Sequence, residues 1–209
     1  MLRMQEPFLR KGDRNLSTNK PLLTDRFDRA LAYASKAHRT QVRKGTRVPY
    51  VSHLLGVASI ALENGADEDQ AIAALLHDAV EDQGGAVRLG DIRDNFGDRV
   101  ARIVDDCTDT DIEPKPPWRE RKEAYIESLA NKANDSLEVS IADKTHNATA
   151  INADLRQIGD ALWGRFSGGK EGSLWYYHSL AEAFSKLHPS SASARFSREV
   201  DEMQELAGI

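Results

Sequence analysis

The chain is poor in cysteine and has no long apolar run. Its single cysteine, Cys107, excludes an internal disulfide and a thiolate cluster for structural zinc. A metal site must therefore use nitrogen and oxygen ligands, and Cys107 is expected to be a small core residue. No apolar stretch approaches the roughly 20 residues that a membrane-spanning helix needs.

Two other features are missing. The first residues lack the apolar core of a secretory signal. The net charge of -5 argues against a general nucleic-acid binder, which needs a basic face. We therefore expect a soluble, cytoplasmic protein that binds neither membranes nor nucleic acid. Its 209 residues, 40% of them hydrophobic, suffice for one domain with a substantial core.

Helical periodicity dominates what is present. Residues 1–23 mix polar and charged types without a period and predict an N-terminal arm, after which Thr24 has the character of an N-cap. Helical patterns start at Asp25 and then cover roughly 53–63, 68–82, 98–108, 117–131, 135–152 and 174–187, whereas strand-like alternation is nearly absent. The sequence predicts an all-α domain over 24–187. A helical extension over 188–209 would pack on this body or on a second subunit, which leaves a homo-oligomer open.

Chemistry-bearing residues are concentrated in the segment 73–82. Read as one helix, its spacings of three and four place His77, Asp78, Glu81 and Asp82 toward one cleft. Apolar neighbours put these groups at a core edge, where an unpaired carboxylate is costly and a bound cation would offset that cost. The alternative is a solvated helix end, although acids are disfavoured there by the helix dipole.

Two further candidates lie on other predicted helices. His53 stands near the start of one helix, and Asp143 follows an apolar stretch on another. With His77 and Asp78 they would provide four ligands from three helices. Each has a simpler alternative, since a lone His is often only hydrogen-bonded and Asp143 could form a surface ion pair with Lys144.

Four motifs occur in order along the chain: Arg43-Lys44, Pro49-Tyr-Val-Ser-His53, Leu75-Leu-His-Asp-Ala-Val-Glu-Asp82 and Ile141-Ala-Asp-Lys-Thr-His-Asn147. Together they resemble the HD-domain hydrolases of the RelA/SpoT type, most of all the stand-alone small alarmone hydrolases, over roughly 24–187. The resemblance implies a single HD-domain helical bundle with an extra C-terminal helix. It also implies hydrolysis of the 3′-diphosphate of guanosine tetra- or pentaphosphate to GDP or GTP and pyrophosphate.

The resemblance also implies roles for individual residues. One Mn²⁺ would be held by His53, His77, Asp78 and Asp143, with Fe²⁺ and Zn²⁺ left open by the ligand types. Glu81 and Asp82 would position and deprotonate the attacking water, or else support the site without proton transfer. The nucleotide would be contacted by Arg43, Lys44, Lys144, Asn147 and Tyr176. His146 is expected to be structural.

The chain departs from this family pattern at a few positions. Leu54 replaces the usual Pro, and Thr149 and Ala150 replace the usual Arg and Thr. The missing Arg removes an expected cation, for which Arg165 or Lys170 could substitute.

A basic cluster formed by Arg119, Arg121 and Lys122 would reach the distal phosphates of the nucleotide or form an ordinary charged face.

Two alternatives to alarmone hydrolysis stay open. One is an HD phosphohydrolase of another nucleotide, a 5′-nucleotidase or NADPH 2′-phosphatase. The other is a catalytically silent nucleotide-sensing module.

Overall fold

The computed structural model describes residues 22–109 and 114–209, and their regular structure is helical. The α-helices are α1 (Asp25–Ala37), α2 (Val51–Glu63), α3 (Glu68–Leu76), α4 (Ala79–Gln83), α5 (Gly85–Phe96), α6 (Asp98–Cys107), α7 (Trp118–Ser128), α8 (Asn134–Ile158), α9 (Gly169–Leu187) and α10 (Ser191–Leu206). Short 3₁₀ segments span Leu129–Asn131 and Gly159–Arg165. The all-α prediction is confirmed, whereas the predicted arm over 1–23 lies outside the described residues except for Leu22 and Leu23.

Helix starts follow local capping chemistry. The Thr24 side chain accepts a hydrogen bond from the Arg26 backbone N–H and caps α1, as predicted. Asp67 and Gln70 form a reciprocal capping box at the start of α3. None of the helices in the described ranges is long and apolar enough to cross a bilayer.

Two hydrophobic clusters make up the interior. The first joins α1 to α6, and its centre is α3, where every residue from Ala71 to Leu76 is fully buried. The second joins α7, α8, α9 and α10. Helix α8 serves both clusters, because Val139 and Ala142 pack into the first and Ile141 packs into the second. Asp143 therefore lies where α8 passes between the two cores.

The C-terminal helix is part of the second cluster. Phe196 of α10 is fully buried and packs edge-on against Phe184 of α9, with ring centroids 5.6 Å apart. Asn152 of α8 donates a hydrogen bond to the Glu199 carbonyl at 2.9 Å. The predicted extra helix thus packs on the body of the same chain.

Several predicted boundaries were wrong. The helix expected over 68–82 is interrupted by a turn at His77 and Asp78. The His77 imidazole Nδ1 lies 2.9 Å from the Ala74 carbonyl oxygen, which a continuous helix would pair with the Asp78 N–H. Helix α5 falls outside the predicted helical ranges, because its weak apolar face buries only Ile92 and Phe96.

Candidate metal centre

Two imidazoles and two carboxylates converge between the two cores, and all but the partly exposed Asp78 are buried. Ligand atoms of His53, His77 and Asp143 all lie within 4.8 Å of one another. Asp143 Oδ1 is 3.3 Å from His53 Nε2 and 3.5 Å from His77 Nε2. Asp78 Oδ2 approaches the same two nitrogens at 3.4 and 3.0 Å. Helix α2, the turn between α3 and α4, and α8 thus bring together all four residues that the sequence singled out.

The electrostatics of the cluster favour a positive charge at its centre. Burial acts to raise the pKa values of Asp78 and Asp143, but neighbouring cationic groups hold both well below their usual range. Burial acts to lower the pKa of His77, yet these two carboxylates raise it well above its usual range. Beyond Lys144, which pairs with Asp143, the two carboxylates therefore favour a further cation at the centre, either imidazolium or a metal ion.

The imidazoles are oriented to offer Nε2. His77 Nδ1 is engaged by the Ala74 carbonyl, and His53 Nδ1 lies 3.0 Å from His146 Nδ1. Both Nε2 atoms are buried and face the carboxylate oxygens of Asp78 and Asp143. A carbonyl behind one nitrogen fixes the tautomer and leaves the lone pair of the other for a metal. The donor set fits a divalent metal ion.

His146 lies behind His53, outside the group of clustered ligand atoms. Burial, together with the nearby His53 and Arg43, lowers the pKa of His146 to about 4, so its neutral ring can accept a hydrogen bond from His53 Nδ1. The ring packs directly on Gly56 of α2, where an added Cβ would lie 2.1 Å from His146 Cδ2. The sequence pointed to a structural role for His146 but gave no signal for Gly56.

Tyr50 is another contributor that sequence reasoning missed, although it lies within a quoted motif. Its hydroxyl donates a 2.6 Å hydrogen bond to Asp78 Oδ2. Burial and the Asp78 charge raise the pKa of Tyr50 far above its usual range, so the phenol stays protonated as the donor. Tyr50 therefore holds Asp78 in place beside the imidazoles.

Glu81 and Asp82 follow on α4. Glu81 Oε1 is 3.1 Å from Lys115 Nζ, and Asp82 Oδ2 accepts a 2.8 Å hydrogen bond from Gln41 Nε2. Burial and the neighbouring Asp78 raise the pKa of Asp82. Asp82 thus lies near Asp78 of the cluster, whereas Glu81 is paired with Lys115.

A basic cavity of about 320 Å³ adjoins Glu81. Four cations line it: Lys44, Arg121, Lys122 and Lys144. Asp109 Oδ2 holds Arg121 Nη1 at 2.6 Å and Lys122 Nζ at 2.7 Å. Tyr176 and Trp118 form part of the wall. Cations outnumber the two acidic lining residues, so the cavity suits an anion such as a phosphate.

The basic cluster predicted at the start of α7 divides in two. Arg121 and Lys122 line the basic cavity, whereas Arg119 pairs with Glu123 at 2.6 Å and lies over the Trp175 ring. The indole of Trp118 packs on Gly168, where an added Cβ would lie 2.6 Å from its ring. The alternation of Arg and Glu along α7 gave no sign of this division.

A second cavity, of about 400 Å³, has a more apolar wall. Val48, Tyr50, Ala150, Ile151, Phe166 and Tyr177 line it, with Arg43, Lys44 and Arg165 as its cations. The loop between α1 and α2 places Arg43 and Lys44 here through an isolated antiparallel bridge between Val42 and Pro49.

Lys44, Asn147, Phe166 and Tyr177 border both cavities, which are therefore contiguous. Asn147 links the cavities to the cluster, because its Nδ2 donates to Asp143 Oδ1 at 2.6 Å and its Oδ1 accepts from Arg43 Nη2 at 2.7 Å. Lys144 Nζ pairs with Asp143 Oδ2 at 2.6 Å. Lys170 instead pairs with Asp160 at 3.1 Å and does not line either cavity, unlike Arg165.

Histidines and aspartates that converge on the helical frame of the described residues define a helical protein with a candidate metal centre. Comparison with known proteins agrees with this class. The family model described as HD domain matches residues 30–172. The human guanosine-3′,5′-bis(diphosphate) 3′-pyrophosphohydrolase MESH1 is 35% identical over 126 residues, which cover 59% of this chain and 68% of that protein.

Two solved structures are also similar. One, described as a metazoan ortholog of SpoT that hydrolyzes ppGpp, has a TM-score of 0.69 and 26% identity and covers 91% of this chain and 99% of its own. The other, from Listeria monocytogenes EGD-e, has a TM-score of 0.65 and 30% identity and covers 75% of this chain and 99% of its own. The chain belongs to the HD domain family, as the sequence motifs predicted.

Proposed function

We propose that this protein hydrolyses the 3′-diphosphate of guanosine 3′,5′-bis(diphosphate) and of its pentaphosphate counterpart, releasing pyrophosphate and leaving GDP or GTP. The observation that carries the proposal is the buried cluster of His53, His77 and Asp143 beside a cation-lined cavity. Relatives of the same family bear the name of this activity. The hydrolase domain would span 24–187, with 188–209 completing its second core.

The proposed metal ligands are His53, His77, Asp78 and Asp143. Imidazole nitrogens combined with hard carboxylate oxygens suit Mn²⁺, and Fe²⁺ or Zn²⁺ are the alternatives. A divalent ion bound there would lower the pKa of water and stabilise negative charge on a phosphoryl oxygen. Tyr50 and His146 would support the ligands by holding Asp78 and His53.

Glu81 and Asp82 are the proposed acid–base pair. Glu81 borders the basic cavity, where its carboxylate would orient the attacking water and accept its proton. Asp82 has one oxygen held by Gln41 and a raised pKa, which suits a group that carries a proton toward the leaving oxygen. Lys115, paired with Glu81, would hold that carboxylate at the cavity edge.

The contiguous cavities would hold the two parts of the substrate. The basic cavity would bind phosphates through Lys44 and Lys144, with the Tyr176 ring as part of its wall. The more apolar cavity would bind the nucleoside beside Arg43 and Asn147. Because Asn147 also donates to Asp143, it would couple nucleotide binding to the metal centre.

Pyrophosphate release from guanosine tetraphosphate by the Mn²⁺-loaded protein tests this function. Asp78→Ala and Glu81→Ala serve as site variants, and NADPH and nucleoside monophosphates as rival substrates. Rapid release that both variants lose is the expected result. Turnover of a rival substrate alone would overturn the assignment of guanosine tetraphosphate as the substrate. A bound metal without turnover of any phosphoester would point to a sensing module.

A further inference from the structure

The segment between α8 and α9 forms one side of the more apolar cavity. It is anchored in the second core by Leu162 and Trp163, which are 1% and 5% exposed. Trp163 Nε1 donates to Asp160 at 3.1 Å, and the Phe166 N–H donates to the Trp163 carbonyl at 3.0 Å. The 3₁₀ segment therefore presents Arg165 and Phe166 to the cavity from a packed base.

Arg165 is held in a defined position across this cavity. Its Nη1 donates to Asp154 Oδ2 of α8 at 2.6 Å. Its aliphatic stem crosses Gly45, where an added Cβ would lie 2.5 Å from Arg165 Cδ. Gly45 has φ +73°, a conformation that favours glycine, so the turn after Arg43 and Lys44 can approach the arginine closely.

The guanidinium retains donors for a ligand. An arginine carries five N–H donors in a planar fork, and in the described part of the chain the hydrogen bond of this one goes to Asp154. Of the α8 residues that line the cavity, Ala150, Ile151 and Ala153 are apolar, His146 and Asn147 are uncharged and Asp154 is the acid, so α8 supplies no cation. Arg165 thus supplies a cation beside the α8 wall of the cavity, which has none of its own.

The surroundings favour a flat heterocycle over a phosphate at this position. Phe166, Tyr177 and Ile151 provide apolar walls, and the single positive charge of the guanidinium is already paired with Asp154. The neighbouring cavity has the more polar wall and is lined by four cations, of which Arg121 and Lys122 pair with Asp109 and Lys144 pairs with Asp143. A guanine edge offers two adjacent acceptors, O6 and N7, whereas adenine offers N7 beside an amino donor.

We propose that Arg165 is a specificity-determining residue that donates two hydrogen bonds to the O6 and N7 edge of a bound guanine and so discriminates against adenine. This inference rests on the proposed function, since it takes a guanosine nucleotide as the ligand. Asp154 is the positioning residue that orients the guanidinium.

The test compares wild type with Arg165→Met and with Lys170→Met, the matched control whose cation pairs outside both cavities. Two quantities are measured: the dissociation constants of GDP and ADP, by calorimetry, and kcat/KM for the guanosine and adenosine 3′,5′-bis(diphosphates). Loss of a bidentate base contact should weaken GDP binding by roughly 10- to 100-fold and leave ADP binding nearly unchanged. The same selective loss is expected in kcat/KM, with the control at wild-type values.

Arg165→Lys should not restore the preference, because an ammonium cannot match two parallel acceptors. Asp154→Asn, which keeps the arginine, should reduce the preference by a smaller factor. Equal losses for guanine and adenine nucleotides, an unchanged preference in Arg165→Met, or no nucleotide binding by wild type would overturn the inference. Because the binding measurement needs no turnover, wild type that prefers GDP but releases no pyrophosphate would overturn the proposed function alone.

Discussion

His53 and His146 face each other through their Nδ1 atoms, which are 3.0 Å apart. The contact joins α2 to α8 directly behind the buried cluster. A hydrogen bond donated by His53 Nδ1 to the neutral His146 ring would leave the His53 Nε2 lone pair directed toward Asp78 and Asp143. His146 does not contribute one of the clustered ligand atoms. It nevertheless determines the orientation of the His53 imidazole, which does.

Replacing His146 with alanine is expected to weaken Mn²⁺ binding by roughly 10- to 100-fold, because His53 would lose the partner that fixes its tautomer. Metal affinity would be measured by competition with a chromogenic chelator, with circular dichroism as the check on folding. His178→Ala on α9 is the matched control, since His178 is exposed and lies near Glu182. Unchanged affinity in a folded His146→Ala protein would contradict the role assigned to this contact.

Gly56→Ala should produce a similar loss of metal affinity without removing any polar group. The new methyl would overlap the His146 ring and displace it from His53. Gly90→Ala is the control, because its Cβ would meet nothing within 4 Å in the middle of α5. That control should gain about 0.5–1 kcal/mol in the free energy of unfolding. Wild-type metal affinity in Gly56→Ala would show that α2 shifts to accommodate the methyl group without displacing the imidazoles.

Glu81→Gln should lower kcat for pyrophosphate release by roughly 10²- to 10⁴-fold, the usual contribution of a general base. The bound metal should stay at wild-type stoichiometry, because Glu81 is outside the buried cluster. Steady-state kinetics and metal analysis on the same preparation would measure both. Glu123→Gln, on the exposed face of α7, should retain full activity. A metal-depleted Glu81→Gln protein would instead assign Glu81 to metal retention.

Lys44→Met should raise KM by about tenfold or more, as expected when a charge-assisted contact to a phosphate is removed. Lys44 borders both cavities, so its loss should affect the whole nucleotide. The dependence of kcat/KM on salt concentration should become shallower, since one phosphate-neutralising cation is gone. Lys36→Met, exposed on α1, is the comparison. An unaltered KM would place the phosphates away from Lys44.

Phe196→Ala should reduce the free energy of unfolding by about 3–5 kcal/mol, because the ring is fully buried against Phe184. Chemical denaturation followed by circular dichroism would measure the loss. Glu205→Ala, exposed on the same helix, should change stability by less than about 0.5 kcal/mol. Only a small loss in Phe196→Ala would mean that α10 contributes little to the second core and behaves as a separate extension.

The sequence alone was enough for the fold class and for the residues of the cluster. Helical periodicity is a local property, so it can be read without knowing which helices touch. The His-Asp pair, the isolated His53 and Asp143 are typical of a metal centre because their residue types limit the chemistry. The absence of further cysteines had already restricted the ligands to nitrogen and oxygen.

The tertiary structure decided what depends on packing between distant segments. At the turn the His77 side chain contacts the Ala74 carbonyl, an interaction that periodicity cannot register. Arg121 and Lys122 line a cavity whereas Arg119 does not, and Arg165 lines a cavity whereas Lys170 does not. Which side chains reach a cavity depends on how their segments pack against the rest of the chain. The contacts of His146 with Gly56 and of Arg165 with Gly45 join residues about 90 and 120 positions apart, where only the folded chain sets the distance.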